Sequence, residues 1–240
     1  MNLGRQSFTP PVVMNLIIAN AVIFLASMLY ETSMVRFGLF NFDLRTGAYE
    51  AWNNFINIHS IVDPTWNQAH FEIWQPFTYM FMHANFSHLF FNMFSLWMFG
   101  RTLELELGWK RFLTYYIVCG VGASLFQMGI AQIDLSHLEI GSRGWIDYMQ
   151  TPTVGASGAI FGLLLAFGML HPNATIMLII PPIPMKAKWF VIIYGALELL
   201  LGVSGSMSNV AHFAHLGGMF WGWLLLLWWR NRDRRRYMYY

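Results

Sequence analysis

The feature that most constrains this chain is a series of apolar stretches, each long enough to cross a lipid bilayer as a helix. About 20 apolar residues span the hydrocarbon core, and roughly 17–25 are usual. Six segments meet or approach this length, with no polar domain between them: 12–30, 86–103, 112–130, 154–170, 189–203 and 210–229. The sequence therefore predicts an all-α, polytopic membrane protein, in which residues 1–240 form a single domain with a bundle of six transmembrane helices.

Composition supports this class and excludes others. Charged residues make up 11% of the chain and apolar residues 56%, whereas soluble domains carry about 25% charged residues. The single cysteine, Cys119, excludes an intrachain disulfide. A lone cysteine in an apolar stretch usually packs as a small hydrophobic residue. No internal repeat is visible, which argues against a transporter built from duplicated halves.

The distribution of basic residues predicts the orientation, because cytoplasmic flanks of membrane helices are enriched in Lys and Arg. With six spans, both termini lie on one side, and that side receives eleven of the fourteen basic residues. Only three basic residues fall on the other side: Arg36, Arg45 and Arg143. We therefore expect cytoplasmic termini, a long outward-facing first loop at 31–85 and a basic cytoplasmic tail at 230–240.

Polar residues at membrane depth are costly and are functional candidates by default. In the second span, His88 and Asn92 are four residues apart and share one helical face. One interpretation is that they form interhelical hydrogen bonds that hold the bundle together. The alternative is that they belong to a site.

Small residues surround the polar groups of the fourth and sixth spans. Ser157 stands in the stretch Gly155-Ala156-Ser157-Gly158-Ala159, and His215 lies beside a stripe of small residues formed by Ala214, Gly218 and Gly222. Taken alone, each pattern is typical of close helix packing. The glycines also leave the serine hydroxyl unshielded.

The predicted topology places these polar residues at one depth and on one side of the membrane, since the second, fourth and sixth spans all enter from the outer side. Each carries its polar residues in its first two turns: His88 and Asn92, Ser157, and His215. A serine, an imidazole that accepts its proton and side chains that donate to an oxyanion are the groups that acyl transfer requires. The pattern therefore indicates one hydrolytic site near the outer face.

In these motifs the chain resembles the rhomboid intramembrane proteases, from about Val12 to Trp229. The resemblance rests on four short patterns in this order: His88-xxx-Asn92, Gly100-Arg101-xx-Glu104-xxx-Gly108, Gly155-Ala156-Ser157-Gly158-Ala159 and Ala214-His215-xx-Gly218-xxx-Gly222. The combination is specific, although each pattern alone is weak. One departure is Trp74-Gln75, where the family often has Trp-Arg, so a contact of the first loop is expected to differ.

The resemblance implies a role for each candidate residue. Ser157 would be the nucleophile and His215 the general base of a Ser-His dyad. His88, Asn92 and the backbone N–H of Ser157 would form the oxyanion hole, and Phe161 would pack against the catalytic imidazole. The supporting glycines would be Gly155, Gly218 and Gly222.

Other polar residues near these spans are interpreted more conservatively. Glu198, in the fifth span, is interpreted as a protonated hydrogen-bonding group rather than as a residue that orients His215. His83 and His212 lie near the candidate pair in sequence, but no Cys or carboxylate accompanies them at metal-ligand spacing. We therefore expect no metal and no cofactor.

The sequence thus predicts an intramembrane serine endopeptidase that cleaves transmembrane segments of membrane-protein substrates. Its partners would be those substrates and the lipid bilayer, with no nucleic acid, and it would resemble the minimal six-helix form of the bacterial inner (plasma) membrane. One alternative is a catalytically inactive rhomboid-like protein that binds or escorts membrane proteins. A small transporter or channel is a further alternative, disfavoured because paired charges across the bundle are absent. The oligomeric state is unknown from sequence.

Overall fold

The computed structural model describes residues 9–29, 37–41, 71–177, 182–204 and 211–237. These residues form the following elements in chain order: α1 (Pro11–Leu29), α2 (Gln75–Thr78), a single 3-10 turn (Tyr79–Phe81), α3 (Phe86–Leu107), α4 (Trp109–Ser136), α5 (Arg143–Gln150), α6 (Ser157–Leu170), β1 (Thr175–Met177), β2 (Pro184–Lys186), α7 (Ala187–Ser204) and α8 (His212–Tyr237). The two short strands pair antiparallel.

The long helices expose more apolar surface than a water-soluble protein does. One face of α1 is buried in the protein, and the opposite face exposes Ile18, Val22, Leu25 and Leu29. Extended apolar patches on soluble proteins are rare. Within the described ranges, α1, α4 and α7 are long and apolar enough to cross a membrane, and α6 is a shorter apolar helix. The protein is an all-α membrane protein, and the count of six spans stays a prediction.

Several helices run beyond the apolar segments predicted from sequence. The helix of the second span continues to Leu107, and that of the third covers Trp109–Ser136. Gly108 joins them with a φ of 76°, in the left-handed region that glycine enters without steric cost. The last helix continues to Tyr237. Polar residues therefore extend the helices, because hydrogen bonds within a helix form equally well outside the membrane.

The polar composition of residues 134–153, between the third and fourth predicted spans, suggests a loop, but the structure differs. The end of α4 and the helix α5 occupy much of this stretch. Ser142 caps α5, since its hydroxyl oxygen accepts a hydrogen bond from the Trp145 N–H at 3.2 Å. The Tyr148 hydroxyl donates to Asp134 at 2.8 Å and ties α5 back to α4. A capped amphipathic helix satisfies its own backbone, so its polar composition does not prevent it from folding.

The end of the predicted first loop packs into the bundle instead of lying over it. Tyr79 is buried and its hydroxyl donates to the Gly120 carbonyl at 2.7 Å, while the Ser124 hydroxyl donates to the Pro76 carbonyl at 3.1 Å. Gln75, at the departure from the family pattern, is fully buried, and its side-chain oxygen accepts from the Phe40 N–H at 3.2 Å. Most of the loop, 42–70, lies outside the described residues.

Glycines bring α4, α6 and α8 into close contact. A Cβ atom on Gly162 would collide with Cys119, and one on Gly222 would collide with the Tyr115 hydroxyl. The Tyr115 hydroxyl instead donates to the Gly162 carbonyl at 2.9 Å. Cys119 is buried in this contact and packs as the small apolar residue expected from sequence. The close contact of these helices at the centre of the bundle therefore requires glycine, which has no side chain, at both positions.

Glu104, from the motif that follows the second span, caps the first helix. Its two carboxylate oxygens accept hydrogen bonds from the backbone N–H groups of Val12 and Val13 at 2.9 and 2.8 Å. These N–H groups belong to the first turn of α1 and have no partner within the helix. A carboxylate there also interacts favourably with the helix dipole. Glu104 is buried, so water does not replace it.

Replacing Glu104 with Ala is expected to destabilise the bundle. The loss should be at least about 1–3 kcal/mol, because two backbone N–H groups lose their acceptor in a buried position. Unfolding of the purified, detergent-solubilised protein measures the change. Glu104→Gln retains one acceptor oxygen, so its stability should fall between those of wild type and Glu104→Ala. The matched control is Glu106→Ala, at a more exposed carboxylate. Equal stability of Glu104→Ala and wild type would contradict this role.

Candidate active site

The candidate nucleophile and base lie where the first turns of α6 and α8 meet. Ser157 is the first residue of α6, and His215 lies in the first turn of α8. The Ser157 hydroxyl donates to Nε2 of His215 at 2.8 Å. This is the hydrogen bond that a serine nucleophile requires from its general base. The structure therefore brings together two residues that are 58 positions apart in sequence.

The backbone that leads into Ser157 passes close to His88 and Asn92. Gly155 has a φ of 118°, and its N–H donates to the Tyr79 carbonyl at 2.9 Å. A Cβ atom at position 155 would lie 2.7 Å from Nε2 of His88 and 3.6 Å from Nδ2 of Asn92. Only glycine fits both this conformation and this space. The two candidate donors therefore face the start of α6.

Local hydrogen bonds orient these two side chains. Asn85 caps α3 by accepting from the His88 N–H at 2.9 Å, and the Ala84 N–H donates to Nδ1 of His88 at 3.4 Å. Since Nδ1 accepts, the proton of the neutral ring resides on Nε2, which faces Gly155. Asn92 uses one amide hydrogen to bond the His88 carbonyl at 3.0 Å and retains the other. Both side chains thus keep a donor for a ligand.

Phe161 stacks on the candidate base. The rings of Phe161 and His215 are nearly parallel, with an interplanar angle of 6° and a centroid separation of 4.2 Å. Phe161 is one helical turn after Ser157, so the same face of α6 presents both side chains. This position agrees with the packing that the family resemblance implied. The stacking restrains the orientation of the imidazole plane, and the hydrogen bond to Ser157 restrains the rotation of the ring within that plane.

The second nitrogen of His215 contacts Glu198, which the sequence led us to interpret as a protonated hydrogen-bonding group and not as a residue that orients His215. Nδ1 of His215 lies 2.9 Å from Oε2 of Glu198, and Nδ1 of His212 lies 2.7 Å from the same oxygen. All three residues are buried. Glu198 is therefore a hydrogen-bonding group, as expected from sequence, and one of its partners is His215. The serine and histidine are accompanied by a third group.

Contrary to the expectation from sequence, a carboxylate does accompany His212, which makes this cluster a candidate metal site. Ligand atoms of Glu198, His212 and His215 all lie within 4.8 Å of one another, and two imidazoles with one carboxylate form a donor set that zinc accepts. Ligand atoms around tetrahedral zinc are about 3.3 Å apart, given bond lengths near 2.0–2.2 Å. The contacts of 2.7 and 2.9 Å are shorter and match N–H to carboxylate hydrogen bonds.

His83, the other histidine considered from sequence, lies next to His88 rather than next to this cluster. The two rings meet edge to face with centroids 5.1 Å apart. Burial, together with the neighbouring His88, lowers the pKa of His83 to about 4. His83 is therefore a neutral packing partner at pH 7. It places no charge beside the candidate oxyanion donors.

Sequence reasoning missed the contact between Glu198 and His215, although one signal pointed to it. Glu198 is the only charged residue within the predicted fifth span, and a carboxylate at membrane depth turns toward a partner in the bundle. Which partner it meets depends on the rotation of α7 about its axis. That rotation is a property of packing.

Comparisons with known proteins identify the family of this chain. The Rhomboid domain family matches residues 70–232. The chain is 33% identical over 149 residues to "Rhomboid protein 1, mitochondrial" of Saccharomyces cerevisiae, an alignment that covers 60% of this chain and 40% of that protein. It is 31% identical over 171 residues to "Putative rhomboid protease YdcA" of Bacillus subtilis, covering 70% of this chain and 73% of the relative.

A further relative is "Rhomboid protease AarA" of Providencia stuartii, which is 31% identical over 155 residues, covering 61% of this chain and 52% of the relative. The chain thus spans about half or less of the yeast and Providencia proteins. The family match covers more than half of the chain and includes all the candidate site residues. The chain therefore belongs to the rhomboid family.

Proposed function

We propose that this protein is an intramembrane serine endopeptidase that cleaves transmembrane segments of membrane-protein substrates. The observation that carries the proposal is the 2.8 Å hydrogen bond from the Ser157 hydroxyl to Nε2 of His215, at the end of the bundle where His88 and Asn92 also face the chain. Rhomboid relatives include proteins named as proteases.

The chemistry follows from these groups. The Ser157 oxygen attacks the substrate carbonyl carbon while its proton passes to Nε2 of His215, and the carbonyl oxygen becomes an oxyanion. His215 then gives that proton to the leaving amine as the peptide bond breaks, which leaves an acyl-enzyme. Water attacks the acyl carbon, again losing its proton to His215, and Ser157 recovers a proton as the carboxyl product departs.

Three donors are available for the oxyanion. The backbone N–H of Ser157 is at the first turn of α6, where N–H groups have no partner within the helix and the helix dipole favours negative charge. Nε2 of His88 and Nδ2 of Asn92 flank the same backbone. Donors held in place before the reaction stabilise the transition state more than the substrate.

Sidedness also belongs to the proposal. The basic residues favour cytoplasmic termini, which puts the beginnings of α3, α6 and α8 toward the outer face. At the opposite end of the bundle, Arg111 forms a salt bridge with Asp233 at 2.9 Å. We therefore infer cleavage in the outer part of a substrate's span, in the inner (plasma) membrane of a bacterium.

An experiment with a fluorophosphonate probe tests the function directly. The purified protein in detergent is treated with the probe, and the labelled peptide is identified by mass spectrometry. Covalent labelling of Ser157 supports the protease, since only an activated serine reacts. An inactive rhomboid-like protein, the alternative function, would remain unlabelled while still binding transmembrane proteins. Absence of labelling at Ser157 would refute the proposal.

Asn92→Ala is expected to lower kcat and to leave KM nearly unchanged, because the amide acts on the transition state. Loss of one such donor costs about 2.7–4 kcal/mol in soluble proteases, or roughly 10²–10³ in rate. His88 and the Ser157 N–H remain, so the effect here should reach at most that range. Steady-state kinetics with a fluorescent single-span substrate measure both constants. A raised KM with unchanged kcat would assign Asn92 to substrate contact.

A further inference from the structure

Glu198 is placed unusually for a membrane helix. Most of α7 is exposed, and its buried residues are Ala187, Val191 and Glu198. Neighbouring positions on the helix, such as Leu197 and Leu199, are exposed and apolar. The helix therefore turns its one carboxylate into the bundle, where it meets two imidazole rings of α8.

The two contacts define how protons are arranged. An ionised carboxylate only accepts hydrogen bonds, and Oε2 of Glu198 contacts both Nδ1 atoms. With Glu198 ionised, and not protonated as expected from the sequence, both Nδ1 atoms carry hydrogen and donate to this oxygen. For His215, this leaves Nε2 unprotonated, and Nε2 is the atom that accepts from the Ser157 hydroxyl. The carboxylate thus selects the tautomer that a general base needs. It also stabilises the positive charge that His215 acquires when it takes the serine proton.

His212 contacts the carboxylate of Glu198 and would affect the site through that contact, not through the substrate. Its Nδ1 lies 2.7 Å from Oε2 of Glu198, while its Nε2 is buried without a hydrogen-bond partner among the described residues. With Nδ1 as the donor, the unpaired atom is a lone pair instead of an N–H group. His212 therefore holds Glu198 in the orientation in which it meets His215.

We propose that Glu198 is a positioning residue for His215, and that His212 in turn positions Glu198, so that the site works as a Ser-His-Glu arrangement with a second histidine behind it. This inference rests on the proposed proteolytic function. Glu198 and His212 do not touch the reacting atoms. They act on the orientation, tautomer and charge of the base, which fits an effect on turnover rather than on substrate binding.

The purely structural explanation is that Glu198 merely avoids lipid by finding two donors inside the bundle. The two roles predict different measurements. A structural carboxylate affects the stability of the fold, and any loss of activity follows the loss of folded protein. A positioning carboxylate changes kcat and the reactivity of Ser157 in protein that is fully folded.

The experiment compares Glu198→Ala, Glu198→Gln, His212→Ala and the double variant Glu198→Ala/His212→Ala with wild type. Each is purified in detergent and checked by thermal unfolding. The kcat and KM are measured with a single-span substrate, and the rate of fluorophosphonate labelling of Ser157 is measured separately. The matched control is Glu106→Ala, which removes a carboxylate 2.8 Å from a histidine, His171, away from the site.

Glu198→Ala is expected to lower kcat at least about tenfold, with KM within about twofold of wild type; removing the corresponding carboxylate function in a soluble serine protease costs ~10⁴. Labelling of Ser157 should slow in parallel. Glu198→Gln keeps an acceptor oxygen without the charge and should recover part of the loss. His212→Ala should have a smaller effect, and the double variant should match Glu198→Ala, since His212 acts only through Glu198.

Several results overturn the inference. If Glu198→Ala and Glu198→Gln both keep kcat within about twofold of wild type while Ser157-dependent hydrolysis is present, Glu198 does not position the base and the proposed function stands. Loss of stability alone, or a rise in KM alone, also excludes it. Should Glu198→Ala fail to fold, Glu198→Gln and His212→Ala decide. A wild-type protein without hydrolysis or Ser157 labelling refutes the proposed function itself.

Discussion

Ser157→Ala is expected to abolish proteolysis while leaving the folded protein intact. The variant lacks the hydroxyl that donates to His215 at 2.8 Å. Removing the nucleophile of a soluble serine protease costs roughly 10⁶ in kcat, so cleavage should fall below detection. The measurement is cleavage of a single-span substrate by purified protein in liposomes.

Stability should change little in Ser157→Ala, because one partly buried hydrogen bond contributes only about 0.5–1.5 kcal/mol. The matched control is Ser136→Ala, at an exposed serine near the end of α4 whose hydroxyl bonds only the Ile133 carbonyl among the described residues. That variant should cleave like wild type. Cleavage that persists in purified Ser157→Ala would remove Ser157 as the nucleophile and require another.

Gly218→Ala is expected to be the most disruptive single-methyl change in the bundle. A Cβ atom at position 218 would overlap the carbonyl group of Gly158, with the carbonyl carbon at 2.7 Å and the Cα at 3.3 Å. These are backbone atoms, which cannot rotate away. Helices α6 and α8 must therefore separate, and overpacking of this kind typically costs about 1–3 kcal/mol or more.

The same separation should reduce activity, since Gly158 follows Ser157 directly and Gly218 lies three residues after His215. A displacement of about 1 Å between reacting groups can cost roughly 10²-fold in rate. Thermal unfolding and kcat of the purified variant measure both effects. Gly129→Ala is the control, because a Cβ there meets nothing within 4 Å and Ala favours a helix by about 1 kcal/mol. Wild-type behaviour of Gly218→Ala would contradict the close contact.

The sequence predicted the parts of this protein that depend on local properties. Apolar length predicted the helices, because a segment that crosses lipid must satisfy its backbone within itself. The positions of Ser157 and His215 near helix starts followed from the same segments, and their facing arrangement followed from three helices entering on one side. The helix at 143–150 was missed because its polar composition resembles that of a loop, and its N-cap at Ser142 is a weak signal.

Tertiary structure alone decided the contacts between distant segments. A carboxylate at membrane depth indicates that this face of α7 turns into the bundle, but which partner Glu198 meets there depends on how α7 packs against α8. The burial of Gln75 and Tyr79 likewise depends on a docking surface formed by α4 and by residues near Phe40. Short stretches of sequence are enough to identify a membrane protein and its candidate site residues. The groups that surround His215 are instead determined by packing between helices that are far apart in the chain.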